Sequence, residues 1–278
     1  MNIRTAIIPA AGYGTRFLPF TKAVPKEMLP LLNKPAIEYI VQEMYDCHLF
    51  NCLMIISPYK QALESYFTRS PHLENFLSEK NKLNLLDSVQ RLIDGMTFTY
   101  IPQEQAKGLG HAIALARNSV HEEFVAILLP DDLIFNAQPA IGQLMAIARQ
   151  ENASIIAVQE VPLEAVSSYG ILKVKQQISQ DLFEIADVIE KPAPQDAPSN
   201  LAIIGRYILS CHIFKALDQV GPAAHGEIQL TDGIAHMIKA GHKVLGYKIQ
   251  GTRYDIGVPA GWLAANNALS CSLPSTRP

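Results

Sequence analysis

Two familiar nucleotide-binding signatures are missing from this chain of 278 residues. The dinucleotide fingerprint G-x-G-x-x-G fails at its last position, where Phe17 follows Gly12 and Gly14. No G-x-x-x-x-G-K-[ST] string occurs, so a P-loop is excluded. The four cysteines, Cys47, Cys52, Cys211 and Cys271, form no C-x-x-C pair and no zinc-like grouping. They read as reduced, mostly buried residues of a cytoplasmic protein. No apolar run approaches the roughly 20 residues that cross a bilayer. The short apolar run after Met1 stops at Pro9 without a cleavage site, which argues against a signal peptide. A basic excess is also lacking. With 23 Lys and Arg against 26 Asp and Glu, the net charge of -3 disfavours nucleic acid as a partner. There is no internal repeat and no low-complexity linker.

What is present is a large apolar fraction, 49%, enough for a substantial core. Buried strands are expected at 3–8, 52–57, 97–101, 124–129 and 153–161, separated by helical patterns. Pro35 suits the first position of a helix in which Ile37, Ile40, Val41 and Met44 share a face. Further helices are expected at 59–67, 138–149 and 213–219, after 226–232 and at 260–269. Residues 71–95 read as a two-helix excursion capped by Gly95, for packing or a subunit contact. From 169 the pattern turns β-rich, with strands at 169–175, 182–190, 202–209 and 243–249. Residues 271–278 read as a frayed tail. These elements predict one α/β domain over 1–278, a Rossmann-like, doubly wound, mixed but mostly parallel sheet with a β-rich half.

In such a sheet ligands gather beyond the carboxyl ends of the strands. Three stretches fall there: the loop 9–30 with Gly12, Gly14, Arg16, Lys22 and Lys26, the turn 103–110, and Pro130-Asp131-Asp132. Glycines let backbone N–H groups approach a ligand, and the cations suit a polyanion. Each has a plain structural alternative. The loop could be a tight turn with surface cations, the Asp131-Asp132 pair a helix cap, and Glu190-Lys191 a solvated charge pair. Asp255 could be a turn residue and Gln103 a surface amide. His111 and His225 read as structural neighbours of motifs, not catalytic groups.

The strings AAGYGTRFLP, TKAVPKEMLP, QEQAKGLGHA, LPDD, YGI, IEKP, GRYIL, GEIQLTD and RYDIG run in order across residues 9–257. In that order the chain resembles the sugar-1-phosphate nucleotidyltransferases, and among them the bacterial UTP–glucose-1-phosphate uridylyltransferases. The resemblance implies a nucleotide-diphospho-sugar transferase fold with the sugar on the β-rich half. It implies Mg²⁺-dependent conversion of UTP and glucose 1-phosphate into UDP-glucose and pyrophosphate. It also implies a homo-dimer or homo-tetramer with neither nucleic-acid nor membrane partners. A phosphate whose second pKa is about 6 is already largely ionised at neutral pH, so its attack needs no general base. The demand is to hold two polyanions together and neutralise the charge that develops. By the same resemblance the nucleotide meets Ala10, Ala11, Gly12 and Gly14, and its phosphates meet Arg16 and Lys26. Glu27, Gln103 and Gly108 fall at uracil positions, and Asp131 and Asp255 at the metal. Gly170 and Glu190 fall at sugar positions, and Lys191 at the sugar phosphate. Arg16, Lys26, Asp131 and Lys191 make the catalytic set. Ile256 and Cys211-His212 depart from many relatives, beside the metal position and away from the cleft respectively. Two other functions are compatible with these strings: a thymidylyltransferase using dTTP, and a silent homologue that regulates a partner enzyme.

Overall fold

Most of the apolar runs become strands in a computed structural model of the chain, which describes residues 1–222 and 226–272. His225 and residues 273–278 of the tail lie outside the described residues. The first half runs β1 (Thr5–Pro9), a short ribbon of β2 (Pro30–Leu31) and β3 (Lys34–Pro35), then α1 (Ala36–Asp46) and β4 (Asn51–Ile56). Next come α2 (Gln61–Tyr66), α3 (Pro71–Glu79), α4 (Asp87–Gly95), β5 (Thr97–Pro102), α5 (Leu109–Leu115) and β6 (Phe124–Leu128). The chain continues through β7 (Asp132–Phe135), α6 (Ala140–Glu151), β8 (Ser154–Glu160), β9 (Gly170–Gln177), β10 (Leu182–Glu190) and β11 (Leu201–Ser210). It closes with α7 (His212–Asp218), α8 (Leu230–Lys239), β12 (Val244–Lys248), β13 (Thr252–Asp255) and α9 (Pro259–Ser272).

Nine strands form one mixed sheet in the order β5-β4-β1-β6-β11-β8-β12-β10-β9. Side chains alternate across each strand, so neighbours in sequence enter different cores. Ile8, Met54 and Leu128 pack on α1 and α6 with Ile37, Ile40, Ile141 and Leu144. Ile7, Leu53 and Ile127 pack on the other face with Ile113, Ile213, Leu217 and Ile234 of α5, α7 and α8.

The expectation of a mostly parallel sheet needs correcting in degree. The run β5-β4-β1-β6 and the pair β8–β12 are parallel. The pairs β6–β11, β11–β8, β12–β10 and β10–β9 are antiparallel. Every residue of β11 is buried, and a strand covered on both faces reads alike whichever way its neighbours run. Two helix ends also differ. Pro35 precedes α1 in an extended conformation instead of sitting inside its first turn. Gly95 is the last residue of α4, and an added Cβ would lie 2.5 Å from Tyr45 Cε2, so close packing explains it, not a left-handed cap. Asp255 is not a turn residue: it ends β13 and pairs with Asp132 of β7.

Candidate active site

Beyond the carboxyl ends of β1 and β6 lies a cleft of about 790 Å³. It collects Ala11, Gly12, Arg16, Lys26, Glu27, Gln103, Gly108, Asp131, Gly170, Glu190, Lys191 and Asp255 from stretches far apart in sequence. Ala10 and Gly14, expected against the nucleotide, do not line it. Ala10 is wholly buried and its carbonyl accepts from Lys60 Nζ at 2.6 Å. Gly14 has φ +66, and its Cβ position would lie 3.1 Å from Thr21 Cγ2 and 3.2 Å from Lys26 Cβ.

The floor of the cleft is a set of paired charges. Lys26 Nζ meets Asp131 Oδ2 at 2.6 Å. Burial alone would lower Lys26, but Asp131 and Glu27 outweigh it and hold the ammonium above its ordinary value. Burial would likewise raise Asp131, yet Lys26 in contact holds its carboxyl below the usual carboxylate range. Glu27 is buried, with both oxygens on Lys60 Nζ at 2.9 and 2.7 Å, so its carboxylate is already engaged. Nothing in the motif strings pointed to Lys60. It lies between β4 and α2, and only the fold brings it under the loop.

Asp131 and Asp255 approach each other across the space left by Gly257. A Cβ there would stand 2.9 Å from Asp131 Oδ2 and 3.0 Å from Asp255 Oδ1. The Gly257 N–H donates to Asp255 Oδ1 at 3.0 Å, and the Ile256 N–H to the Asp131 carbonyl at 2.8 Å. Two carboxylates converging on a cradle that a single methyl would fill fit a hard divalent ion such as Mg²⁺, which keeps water and takes phosphate oxygens. Among the described residues no group of three His, Cys, Asp or Glu surrounds one point. Asp132 turns the other way. Its Oδ1 receives Arg253 Nε at 2.5 Å and its Oδ2 the Gly205 N–H at 2.8 Å, while Arg253 also donates to Tyr169 Oη at 3.3 Å. Arg253 stood inside the RYDIG string without being singled out.

On a second side of the cleft, Gln103 Nε2 lies 2.8 Å from His111 Nδ1 and 3.4 Å from the Gly108 carbonyl. Burial, with Lys107 beside it, pushes His111 below its ordinary value, which favours the neutral ring, and an unprotonated Nδ1 can accept from the amide. That leaves Gln103 Oε1 as the free acceptor. Gly108 has φ +91, and a Cβ there would stand 2.7 Å from the Ile228 carbonyl. The Gly110 N–H donates to the Ile228 carbonyl and the Ile228 N–H to the Lys107 carbonyl, both at 2.8 Å. Two motifs more than a hundred residues apart are thus one backbone unit. On the third side, Thr231 Oγ1 donates to Glu190 Oε2 at 2.9 Å, and Lys191 Nζ lies 3.2 Å from Glu190 Oε1. Thr231 reaches Glu190 over Gly170, where a Cβ would lie 2.7 Å from Thr231 Cγ2. Lys191 holds φ 45, a left-handed backbone unusual for a non-glycine residue, and such strain recurs at ligand sites.

Residues 5–271 match the model of a family described as nucleotidyl transferase. The chain is 43% identical, over 267 residues and 95% of each chain, to the UTP–glucose-1-phosphate uridylyltransferase of Pseudomonas aeruginosa. It is 40% identical to the UTP–glucose-1-phosphate uridylyltransferase YngB of Bacillus subtilis, over 99% of this chain and 92% of the relative. A solved UDP-glucose pyrophosphorylase complexed with UDP-glucose superposes with a TM-score of 0.89 at 38% identity, covering 98% of this chain and 100% of that one.

Proposed function

The chain belongs to the nucleotidyl transferase family, and we propose that its cleft transfers the uridylyl group of UTP to glucose 1-phosphate, giving UDP-glucose and pyrophosphate. The names and coverage of its relatives support that reaction. The observation that carries it on this chain is the convergence of Arg16, Lys26 and Lys191 with Asp131 and Asp255 in one cleft. Three cations suit two phosphate-bearing substrates, and the carboxylates suit a divalent ion between them.

In this reading the sugar phosphate oxygen attacks the α-phosphorus of UTP in line, and the bond to pyrophosphate breaks. Arg16 neutralises the leaving β- and γ-phosphates as a fork of donors. Lys26 exchanges Asp131 for phosphate oxygens as the triphosphate enters. Lys191, beside the sugar side of the cleft, draws the attacking phosphate in. Asp131 and Asp255 would hold Mg²⁺, which would supply positive charge at the reacting phosphates. The Gln103 amide has its N–H groups taken by His111 and Gly108, so its oxygen accepts the N3–H of uracil. Glu190, fixed by Thr231, accepts from adjacent sugar hydroxyls. The resemblance to the uridylyltransferases is the support for reading the protein as a cytoplasmic homo-dimer or homo-tetramer; among the described residues no helix is long and apolar enough to cross a membrane.

The test is pyrophosphate release from UTP, glucose 1-phosphate and Mg²⁺, with dTTP and other sugar 1-phosphates run beside them. Release should be fastest with UTP and glucose 1-phosphate. No release with any sugar phosphate would sink the reading, and equal turnover with dTTP would remove the preference for uracil. Asp131→Asn should cut kcat by about a hundredfold or more, on the scale of losing one preorganised charge, with an unchanged circular dichroism spectrum.

A further inference from the structure

Lys60 takes part in none of the steps above, yet its ammonium is fully partnered beneath the cleft. It is 6% exposed, at the turn between β4 and α2. An ammonium has three protons, and three acceptors surround this one: the Ala10 carbonyl at 2.6 Å and the two Glu27 oxygens at 2.9 and 2.7 Å. Its hydrogen bonds therefore run to the protein, where they join three pieces of chain. Ala10 opens the phosphate-facing loop and its own N–H donates to the Ile55 carbonyl of β4 at 2.7 Å. Glu27 belongs to the single turn Lys26–Met28 that also carries Lys26.

The charges alternate along this floor: Lys60, Glu27, Lys26, Asp131. Glu27 already acts on Lys26 through space, and so does Asp131. With Lys60 in place the Glu27 charge is matched locally, and Lys26 is left to point at Asp131 and the cleft. Without Lys60, Glu27 is a buried carboxylate with no partner, and Lys26 is the cation beside it. An unpaired buried charge seeks the nearest counter-ion.

We propose that Lys60 is a positioning residue of the nucleotide site: by tying Ala10 to Glu27 it keeps Lys26 directed into the cleft and sets the loop that faces the phosphates. The proposal rests on the uridylyl-transfer reading. It differs from a stabilising ion pair in one respect. Loss of Lys60 harms handling of the nucleotide and spares that of the sugar phosphate, because Lys191, Glu190 and Gly170 are held by Tyr169 and Thr231 instead.

The experiment compares the full-length wild type with Lys60→Met and with the double variant Lys60→Met/Glu27→Gln. UTP binding is read by calorimetry with Mg²⁺, and the KM for glucose 1-phosphate by pyrophosphate release. Lys60→Met should weaken UTP binding by about tenfold or more, a factor of ten in Kd, with the glucose 1-phosphate KM within about twofold of wild type. The double variant removes the unmatched charge and should recover part of that loss. It should stay about threefold or more weaker than wild type, because the Ala10 carbonyl still lacks its donor. Should Lys60→Met not fold, the double variant carries the test through that residual weakening. UTP binding within about twofold of wild type in the double variant would overturn the proposal, as would parallel losses for both substrates in Lys60→Met. A wild-type chain that binds no UTP would refute the uridylyl reading instead.

Discussion

Gly257→Ala is the smallest change that separates folding from chemistry in this molecule. The new methyl would stand 2.9 Å from Asp131 Oδ2, 3.0 Å from Asp255 Oδ1 and 3.3 Å from Asp131 Cβ. Ordinary carbon-to-oxygen approach is about 3.3 Å or more, so each carboxylate must retreat by about 0.3 Å. Gly257 is not among the residues with a left-handed backbone, so alanine fits its φ without strain. Gly→Ala at a compatible site gains about 0.4–1 kcal/mol through the unfolded chain, which the crowding roughly offsets. The melting temperature should stay within about 2–4 °C of wild type. Turnover should not. A methyl between the two oxygens blocks an ion from sharing them, and sub-ångström misplacement at a reacting centre is costly. A fall in kcat of about 10²–10³, or about 3–4 kcal/mol, is expected. Pyrophosphate release followed over a Mg²⁺ series reads both kcat and the half-saturating metal concentration. A kcat within about threefold of wild type at unchanged Mg²⁺ dependence would refute the assignment of Asp131 and Asp255 to one ion.

Two further perturbations address the other sides of the cleft. Lys191→Gly and Lys191→Ala should both raise the KM for glucose 1-phosphate by about tenfold, but φ 45 costs an L-residue about 1–2 kcal/mol, so the glycine variant should melt a few degrees above the alanine one. Equal melting temperatures would remove the strain argument, and an unchanged KM the phosphate role. His111 has its folded-state value depressed by burial and Lys107, so the unfolded chain takes up a proton first. Its contribution to stability is complete above the unfolded value, about 6.5, and is lost as pH falls through the folded one. Protonation also makes Nδ1 a donor and turns the Gln103 amide around, so UTP affinity should fall over the same window. Affinity that stays flat while the His111 ring titrates by NMR would break the link between His111 and the base.

Legibility from sequence followed burial and locality. The strand at 182–190 appears with the bounds read from the β-rich pattern, and the others shift by a residue or two. The ribbons β2–β3 and β7–β13 were not visible, because two- to four-residue strands are too short for a period to show. Strand direction was hidden for a different reason. A fully buried strand such as β11 carries no mark of its neighbours' orientation, and only the short link at 178–181 forces an antiparallel pair. Within the cleft, the motif strings located Arg16, Lys26, Asp131, Lys191 and Asp255, since these are charges at strand ends or in loops where few structural demands compete. Ala10 and Gly14, expected against the nucleotide, do not line the cleft, as a glycine-rich string does not say which of its residues face out.

By itself the sequence determined which chemistry this chain carries: cations and carboxylates in ordered strings, joined by apolar segments that must be strands. Only the tertiary structure decided how those charges are matched. That Lys60 answers Glu27, that Lys26 faces Asp131, and that Gly257 leaves room between Asp131 and Asp255 are facts of distance. They arise because a twisted sheet brings strand ends separated by tens to hundreds of residues within a few ångströms, where an opposite charge or an absent methyl decides the outcome.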